Sequence, residues 1–306
     1  MPPPWTGGGG VGAYREGTAG NFEYFPATPG EDGSDGEDGA SAIVIENPEE
    51  YDAIRITSTG DEPNQILGGS GGDGGDGGDG SDGISQGGNI VPDGADGADG
   101  ADGGDGGDGG QSGYAIVNGN DDAEINTIVI EGDQDLTILG GTGGAGGEGG
   151  AAGEGEGSGD NGDDGQDGLD GVTSAAFSHR VEVDATGFDA HLTISGSDFD
   201  DSFELGDGGS DLHATRGADE YSLGAGEDIV RYTSLARNED GTFDIDSLIG
   251  FDVNEDQIDI SALVGDAWDF EFDDGLLAID LDNDGITDLT IQLVGVDSIG
   301  DEIFIA

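Results

Sequence analysis

The chain lacks several residue types, and each absence excludes a class of chemistry. Among its 306 residues there is no cysteine and no lysine. Without cysteine it has no disulfides and no thiolate metal sites, and without lysine it has neither Schiff-base chemistry nor the phosphate-binding lysine of a P-loop. No apolar run approaches the roughly 20 residues that a membrane helix needs. The first residues lack the charged and apolar regions of a classical signal peptide, so we expect none.

Basic residues and histidines are also scarce. The chain has six arginines and 70 acidic residues, which give it a formal net charge of −64. Such a surface repels nucleic acid and anionic membranes, and it opposes compaction unless cations neutralise it. We therefore expect divalent cations as partners, no nucleic acid and no membrane span. The histidines His179, His191 and His213 form no His-Glu-x-x-His pattern, and there is no Gly-x-Ser-x-Gly elbow, so we expect no enzyme.

What the chain does have is glycine at every third position in four stretches. These are residues 30–39, 68–83, 94–109 and 141–171, the last broken at Glu156. Three residues per turn is the period of polyproline II, in which every third side chain lies on one face. Two stretches have equal length, as an antiparallel hairpin requires, and the fourth divides into arms 141–153 and 159–171. Glycine faces would let neighbouring backbones pair their amides and carbonyls, while aspartate points to solvent.

Three arrangements fit these triplets. They are a bundle within one chain, a collagen-like trimer, and a disordered acidic linker, since glycine loses the most conformational entropy on ordering. The strict phase and the matched arm lengths favour the bundle, whereas a trimer would lack the proline that stiffens collagen. In the triplet pattern alone, the segments resemble the glycine-rich bundles of the snow-flea antifreeze proteins and of some phage adhesin tips.

Short strand patterns separate the glycine-rich stretches, and they repeat. Residues 42–56, followed by Ile66 and Leu67, have counterparts about 72 residues later in 115–130, Ile138 and Leu139. A third block covers residues 181–196. Each block joins β-branched runs through turn residues, and no amphipathic helix stands out. The sequence therefore predicts an all-β architecture from which the glycine-rich stretches are excursions.

A nine-residue rhythm follows the third block. Phe203, Leu212, Tyr221 and Val230 are equally spaced, with glycines and aspartates between them. The pattern resembles the nonapeptide Gly-Gly-x-Gly-x-Asp-x-hydrophobe-x of RTX (repeats-in-toxin) proteins. That resemblance implies a β-roll whose turns bind Ca²⁺ through oxygen ligands, here from Asp201, Gly208, Asp211, Gly217, Asp219, Gly226 and Asp228. Because Thr215 replaces a turn glycine and Asp211 is displaced by one residue, we expect one or two intact sites.

The resemblance extends to the C-terminal residues. Residues 245–263 are similar to the segment that caps the β-roll in serralysin-type proteins, and residues 301–306 resemble the uncleaved signal of type I secretion substrates. It implies an extracellular or cell-surface protein. The predicted fold is all-β, with a β-roll or β-solenoid-like C-terminal domain and inserted polyproline II hairpins forming a bundle. Its parts are a leader (1–29), strand blocks with triplet hairpins (30–171), a β-roll (172–242) and a β cap with a secretion-like tail (243–306).

A second oxygen-rich segment precedes the last long strand pattern. Its acidic residues are Asp280, Asp282, Asp284 and Asp288. Their alternation, with Gly285 following the third, resembles the start of an EF-hand loop, although Ile291 stands where that loop has its bidentate glutamate. The segment is either a Ca²⁺ site or a polar turn between two strands.

These features predict an extracellular, Ca²⁺-binding structural or surface-interaction protein of adhesin type, whose folding is coupled to Ca²⁺. An alternative is a virion-associated fibre or decoration protein with a glycine-rich stalk. Ice binding is a third hypothesis, which the many acidic residues of the triplets weaken. In the first two, the aromatic residues of the leader, Trp5, Tyr14 and Phe22 among them, would dock on a cell-surface or particle partner, and an oligomer is compatible with each.

Overall fold

The chain forms strands and extended segments. The computed structural model describes residues 24–25, 28–45, 53–82, 84–85, 99–118, 126–154, 160–234, 244–265 and 267–306. These contain twenty strands, one short 3₁₀ helix (Asp301–Ile303) and no α-helix, so the predicted all-β class is confirmed for them. Within these ranges no helix is long and apolar enough to cross a membrane. Residues 1–23 of the predicted leader lie outside them.

The chain divides into two compact units. Unit 1 comprises residues 1–39, 70–113 and 142–173, and unit 2 comprises residues 40–69, 114–141 and 174–306. Unit 1 therefore contains the glycine triplets, and unit 2 contains the strand blocks. Strands β1 (Tyr24–Phe25) and β5 (Ile84–Ser85) pair antiparallel in unit 1.

Backbone amides at every third residue connect the extended segments of unit 1. These segments are residues 28–39, 70–82, 99–113, 142–154 and 160–173. Gly104 and Gly107 donate to the carbonyls of Gly78 and Gly75 at 2.9 and 2.8 Å, so segments 70–82 and 99–113 run antiparallel. Segments 142–154 and 160–173 are antiparallel in the same way, and segment 28–39 runs parallel to 99–113.

Space, rather than backbone conformation, requires glycine in these segments. None of the triplet glycines in the described ranges has a positive φ. A Cβ on Gly107 would lie 2.3 Å from the carbonyl oxygen of Ser34, and one on Gly147 would lie 2.1 Å from that of Gly75. Real Cβ atoms essentially never approach another heavy atom within 3.0 Å. The glycine faces therefore allow backbones to pack at a separation that any side chain would prevent.

The triplet aspartates accept hydrogen bonds as well as facing solvent. In segment 142–154 the three amides of one triplet have three different acceptors. The Gly147 amide donates to the Gly107 carbonyl at 2.8 Å, the Glu148 amide to Asp76 Oδ1 at 3.2 Å, and the Gly149 amide to Asp167 Oδ1 at 2.9 Å. The side chains thus satisfy amides that isolated polyproline II leaves to water.

Unit 2 contains two main sheets, and successive strands largely alternate between them. The seven-stranded sheet is parallel throughout and has the spatial order β20 (Phe304–Ile305), β16 (Gln257–Asp259), β14 (Asp228–Arg231), β12 (Ser210–His213), β10 (Leu192–Ser195), β8 (Leu136–Leu139), β4 (Asn64–Leu67). The nine-stranded sheet has the order β17 (Asp269–Asp273), β18 (Leu276–Asp280), β19 (Leu289–Val294), β15 (Asp246–Ile249), β13 (Glu220–Ser222), β11 (Ser202–Glu204), β9 (Val181–Asp184), β7 (Asn126–Gly132), β3 (Ile54–Ser58). Only its β17–β18 and β18–β19 pairs are antiparallel.

The predicted sequence repeat corresponds to stacked layers. Strand β2 (Ile43–Ile45) pairs in parallel with β6 (Ile116–Asn118), and β3 and β4 pair with β7 and β8. The third block adds β9 and β10 to the same two sheets. Each repeat therefore supplies one layer, and its apolar side chains are buried against those of the next.

The nine-residue rhythm places its apolar residues in the core between the sheets. Equivalent positions in successive strands are nine residues apart and lie in different sheets. Equivalent positions in neighbouring strands of one sheet are therefore eighteen residues apart. Phe203 is accordingly in register with Tyr221, and Leu212 is in register with Val230. All four side chains are buried, and the rings of Phe203 and Tyr221 stack at a centroid distance of 5.0 Å.

The last part of unit 2 changes from parallel to antiparallel pairing. Strands β17 and β18 form a hairpin whose two-residue turn is Asp274 and Gly275, with φ of 50° and 79°. Asp-Gly with two positive φ angles is the pair that such a tight turn favours. Strand β18 then pairs with β19, and the nine residues from Asp280 to Asp288 include the connection between them. This connection is the predicted second oxygen-rich segment.

Candidate metal centre

The connection between β18 and β19 folds around its own carboxylates. Asp280 accepts the amide of Gly285 at 2.7 Å and the amide of Asp284 at 3.1 Å. Asp288 accepts the amide of Leu281 at 2.9 Å. Asn283 and Gly285 have φ of 57° and 88°, values that asparagine and glycine tolerate best. These bonds and angles curl the loop so that its acidic side chains converge.

Three of the four predicted aspartates come together. One carboxylate oxygen from each of Asp280, Asp282 and Asp288 lies within 4.8 Å of the other two. Ca²⁺ binds oxygen at about 2.3–2.6 Å, so two ligands of one ion lie at most about 5 Å apart. The oxygen spacing therefore fits a single cation, which would also remove the mutual repulsion of three negative charges.

Asp284, the fourth predicted ligand, is not part of this cluster. Its Oδ1 accepts the Ile286 amide at 2.8 Å. Ile291, at the position of the EF-hand glutamate, lies in β19 and is fully buried in the core. Further ligands for a six- to eight-coordinate ion would have to be backbone carbonyls, water or Asp284 after a change of rotamer.

Asp201, Asp219 and Asp246 form a buried ladder that runs across the nine-stranded sheet, at the starts of β11, β13 and β15. The Asp201 amide donates to Asp219 Oδ1 at 2.8 Å, and the Asp219 amide donates to Asp246 Oδ1 at 3.0 Å. Asp201 Oδ1 in turn accepts the Val181 amide at 2.8 Å. Each carboxylate thus connects one layer to the amide of an adjacent layer.

The second oxygens of the ladder also have donors. The amide and the hydroxyl of Ser197 both donate hydrogen bonds to Asp201 Oδ2. The phenol of Tyr221 donates to Asp219 at 3.1 Å, and that of Tyr232 donates to Asp246 at 2.9 Å. Asp201 and Asp219 are thereby engaged within the protein, and their predicted role as Ca²⁺ ligands stays a prediction.

Burial raises the pKa of all three ladder carboxyls. The pKa of Asp219 reaches about 8, because burial and then the nearby charge of Asp246 both disfavour its ionised form. The pKa of Asp246 is raised to about 6, again chiefly by burial, and that of Asp201 is also raised. The ladder is therefore a set of acids that hold protons more tightly than exposed aspartates do.

Asp228 differs from the ladder residues. It is fully buried, and neither of its carboxylate oxygens has a hydrogen-bond partner. The hydroxyl and the amide of Ser210 and the amide of Gly224 lie near enough to favour its ionised form, but none of the three meets normal hydrogen-bond geometry. Burial, followed by the charge of Asp256, raises the pKa of Asp228 to about 7. A buried carboxylate without donors is costly unless it is protonated or binds a cation, so this residue fits a metal ligand.

The other predicted ligands of the repeat have structural contacts. Asp211 forms an ion pair with Arg231, which also bonds Asp259 on the neighbouring strand. Among the predicted glycines, Gly217 has φ of 110°. A Cβ on Gly208 would meet the Ala190 carbonyl oxygen at 2.1 Å, and one on Gly226 would meet the Gly209 amide nitrogen at 2.3 Å. These glycines allow close packing of the turns, whether or not an ion lies between them.

Among the buried aspartates that the sequence did not predict as ligands, Asp246 and Asp256 follow the repeat pattern. Asp256 accepts the amides of Asp228 at 3.0 Å and of Asp252 at 2.7 Å. Their signal was available, because each stands two residues before a buried apolar residue, as Asp201 does before Phe203. Comparison of the chain with protein-family models and with curated proteins finds no match.

Proposed function

We propose that the chain is a Ca²⁺-binding structural protein of RTX type that works outside the cell or on its surface. The observation that carries this proposal is the convergence of Asp280, Asp282 and Asp288 within 4.8 Å. The unpartnered carboxylate of Asp228 supports it independently. Both sites offer only oxygen ligands, which Ca²⁺ prefers to nitrogen and sulfur.

The finer fold belongs to the same proposal. Strands that alternate between two parallel sheets at nine-residue steps are the pattern expected of a β-roll, and the stacked 72-residue blocks extend it as a β-solenoid. The triplet segments, with hydrogen bonds at every third residue, correspond to a bundle of polyproline II helices. The antiparallel pairing of segment 70–82 with 99–113, and of 142–154 with 160–173, matches the hairpin arms expected of an intrachain bundle. It favours that bundle over a trimeric stalk, and hence the RTX hypothesis over the virion fibre.

The proposed mechanism is folding coupled to charge. With a formal net charge of −64, the compact state suffers strong self-repulsion. A cation that binds only the folded chain stabilises it by mass action, by about 2.7 kcal/mol at a free concentration of about 100 times the dissociation constant. Extracellular Ca²⁺ modules have dissociation constants of about 10⁻⁴–10⁻³ M. Such a protein would be stable in Ca²⁺-rich surroundings and would lose stability where Ca²⁺ is scarce.

Calorimetric titration of the full chain with Ca²⁺ tests this function. We expect saturable binding, and we expect Asp282→Asn to weaken the affinity of one site at least about tenfold, since it removes a charged ligand. Glu271→Gln is the matched control, because it removes one exposed charge from the neighbouring strand β17 but lies outside the cluster. Absence of binding heat and of any change in melting temperature would overturn the proposal. Equal weakening by both variants would overturn the assignment to the loop.

A further inference from the structure

The extended segments of unit 1 contain many Asp–Gly pairs, and one pair shows how they hold a neighbouring segment. The Gly77 amide donates to the Glu148 carbonyl at 2.8 Å, and Asp76 Oδ1 accepts the amide of the same Glu148 at 3.2 Å. The carbonyl and the amide of one residue are thus bound by the glycine and the aspartate of one pair.

Both bonds recur wherever an Asp–Gly pair has its two residues in the described part of unit 1. These pairs lie in segments 28–39, 70–82, 99–113 and 160–173. Each glycine amide donates to a carbonyl of another segment at 2.7–2.9 Å. Each aspartate Oδ1 accepts a backbone amide of another segment at 2.8–3.2 Å. In every such pair, neighbouring segments therefore engage both groups.

These two groups are the ones that react when isoaspartate forms. An Asp–Gly pair is prone to this reaction, because glycine has no Cβ to hinder attack on the preceding side chain. The glycine amide nitrogen attacks Cγ of the protonated aspartate, a C–N bond closes a succinimide ring, and the carboxyl hydroxyl leaves with the amide proton as water. Water then reopens the ring at either carbonyl, which gives aspartate or isoaspartate. The reaction is a net isomerisation and needs no co-reactant.

The hydrogen bonds of unit 1 keep the reacting atoms apart. Attack of the Gly77 nitrogen on Asp76 requires both bonds to Glu148 to break and the extended backbone to turn. Such bonds contribute about 1 kcal/mol each, and every 1.4 kcal/mol of local opening lowers the reactive population about tenfold. The folded segments are therefore expected to react at least about tenfold more slowly than the unfolded chain.

Isoaspartate does not fit into the folded segments. It routes the main chain through Cβ and Cγ, which lengthens the backbone by a carbon atom. Next to Asp73 there is no room for that atom, since even a Cβ on Gly74 would lie 2.0 Å from the Gly107 carbonyl oxygen. The glycines beyond the lesion would also lose their alignment with the carbonyls that they bond at every third residue.

We propose that the Asp–Gly pairs of unit 1 are sites of isoaspartate formation, which the folded segments block and unfolding permits. A chain that stays unfolded long enough acquires lesions that prevent unit 1 from forming again, so prolonged unfolding becomes irreversible. Unit 1 thus limits the lifetime of the unfolded chain through its own sequence. This inference goes beyond the proposed function, and it holds whether or not the protein binds Ca²⁺.

Ageing of the full chain with and without urea, at the same neutral pH and the same temperature, tests the proposal. Mass spectrometry with electron-transfer fragmentation distinguishes isoaspartate from aspartate in unit 1 peptides. We expect isoaspartate to form at least about tenfold more slowly in the folded chain. After removal of urea, hydrogen exchange is expected to show protected unit 1 amides in unmodified chains and unprotected ones in chains that carry isoaspartate.

Gly147→Ala tests the role of the amide bonds within the folded chain. Its Cβ has no room beside segment 70–82, so we expect the substitution to weaken the bond of the Gly77 amide. Isoaspartate at Asp76 should then form at least about tenfold faster than in the wild type. Gly187→Ala makes the same change where a Cβ would meet nothing within 4 Å, and it is expected to leave the rate unchanged.

Three results would overturn the proposal. The first is equal isoaspartate formation in the folded and the urea-unfolded wild-type chain. The second is full recovery of amide protection in chains that carry isoaspartate. The third is an unchanged rate at Asp76 in folded Gly147→Ala. If that variant does not fold, the comparison of folded and unfolded wild-type chains remains the test.

Discussion

A single methyl group at Gly147 is expected to disrupt the close packing of the extended segments in unit 1. In Gly147→Ala the Cβ would lie 2.1 Å from the Gly75 carbonyl oxygen, about 1 Å inside the closest approach of 3.0 Å. Segment 142–154 would have to retreat by that amount. The retreat would stretch the bonds that join this segment to 70–82, from the Gly74 and Gly77 amides to the Ala145 and Glu148 carbonyls, each 2.8 Å. Two weakened hydrogen bonds at about 1 kcal/mol each, with about 1–3 kcal/mol for overpacking, give a loss of at least about 3 kcal/mol.

Hydrogen exchange of the full chain, read by mass spectrometry on peptides from unit 1, measures this loss. A change of about 3 kcal/mol corresponds to a fall of about 100-fold in amide protection, at about 1.4 kcal/mol per factor of ten. Two controls accompany it. Gly187→Ala, where a Cβ would meet nothing within 4 Å, tests the same chemical change in open space, and Ala145→Ser changes an exposed position of the same segment. Unchanged protection in Gly147→Ala would refute the argument that space selects glycine.

Three further outcomes are expected. Asp105→Ala removes the acceptor of the Gln166 amide, 2.8 Å away, and should weaken the protection of unit 1 amides against exchange by about 1 kcal/mol. Asp105→Asn keeps an acceptor and should leave that protection unchanged. Hydrogen exchange of unit 1 peptides measures both. In chelator, stability should fall from about pH 4 to pH 8, because Asp219 keeps its proton to about 8 in the folded state but releases it near 3.8 when unfolded. Denaturant titrations across that range should show a shallower fall in Asp219→Asn, and an equal fall would contradict the assignment. Asp228→Ser introduces the residue that stands opposite it in register, Ser210. It should raise the melting temperature in chelator at pH 8 and reduce the further rise that Ca²⁺ gives. A lower melting temperature in chelator would contradict this expectation.

The periods in the sequence predicted the strand layers and the spacing of the bundle contacts. Phe203 and Tyr221 are eighteen residues apart because two nine-residue steps make one layer. Glycine at every third position marks the faces on which backbones touch. The period shows which positions of a segment make contacts, but it does not show which other segment they contact. The parallel pairing of segment 28–39 with 99–113, for example, depends on how the whole bundle closes.

The roles of the aspartates were harder to predict than the strands. Asp76 and Asp219 belong to the same residue type, yet one accepts an amide at an exposed position and the other lies buried beside a phenol. Seventy acidic residues make any pair of carboxylates uninformative in the sequence. Only the fold separates the hydrogen-bonded ladder from Asp228, whose oxygens have no donor at normal hydrogen-bond geometry. The 280–288 segment was identifiable because its ligands are close in sequence, so one loop brings them together.

Thermal unfolding of the full chain in Ca²⁺, in Mg²⁺ and in chelator, at equal ionic strength, measures whether Ca²⁺ stabilises the folded protein. Binding at about 10–100 times the dissociation constant contributes about 1.4–2.7 kcal/mol, and each kcal/mol shifts the midpoint of a domain of 150–250 residues by about 2–4 °C. We expect the midpoint to be about 3–10 °C higher in Ca²⁺ than in chelator. A smaller rise is expected in Mg²⁺, which demands a near-ideal octahedral site. Superimposable curves in Ca²⁺ and chelator would contradict the claim that Ca²⁺ stabilises this fold.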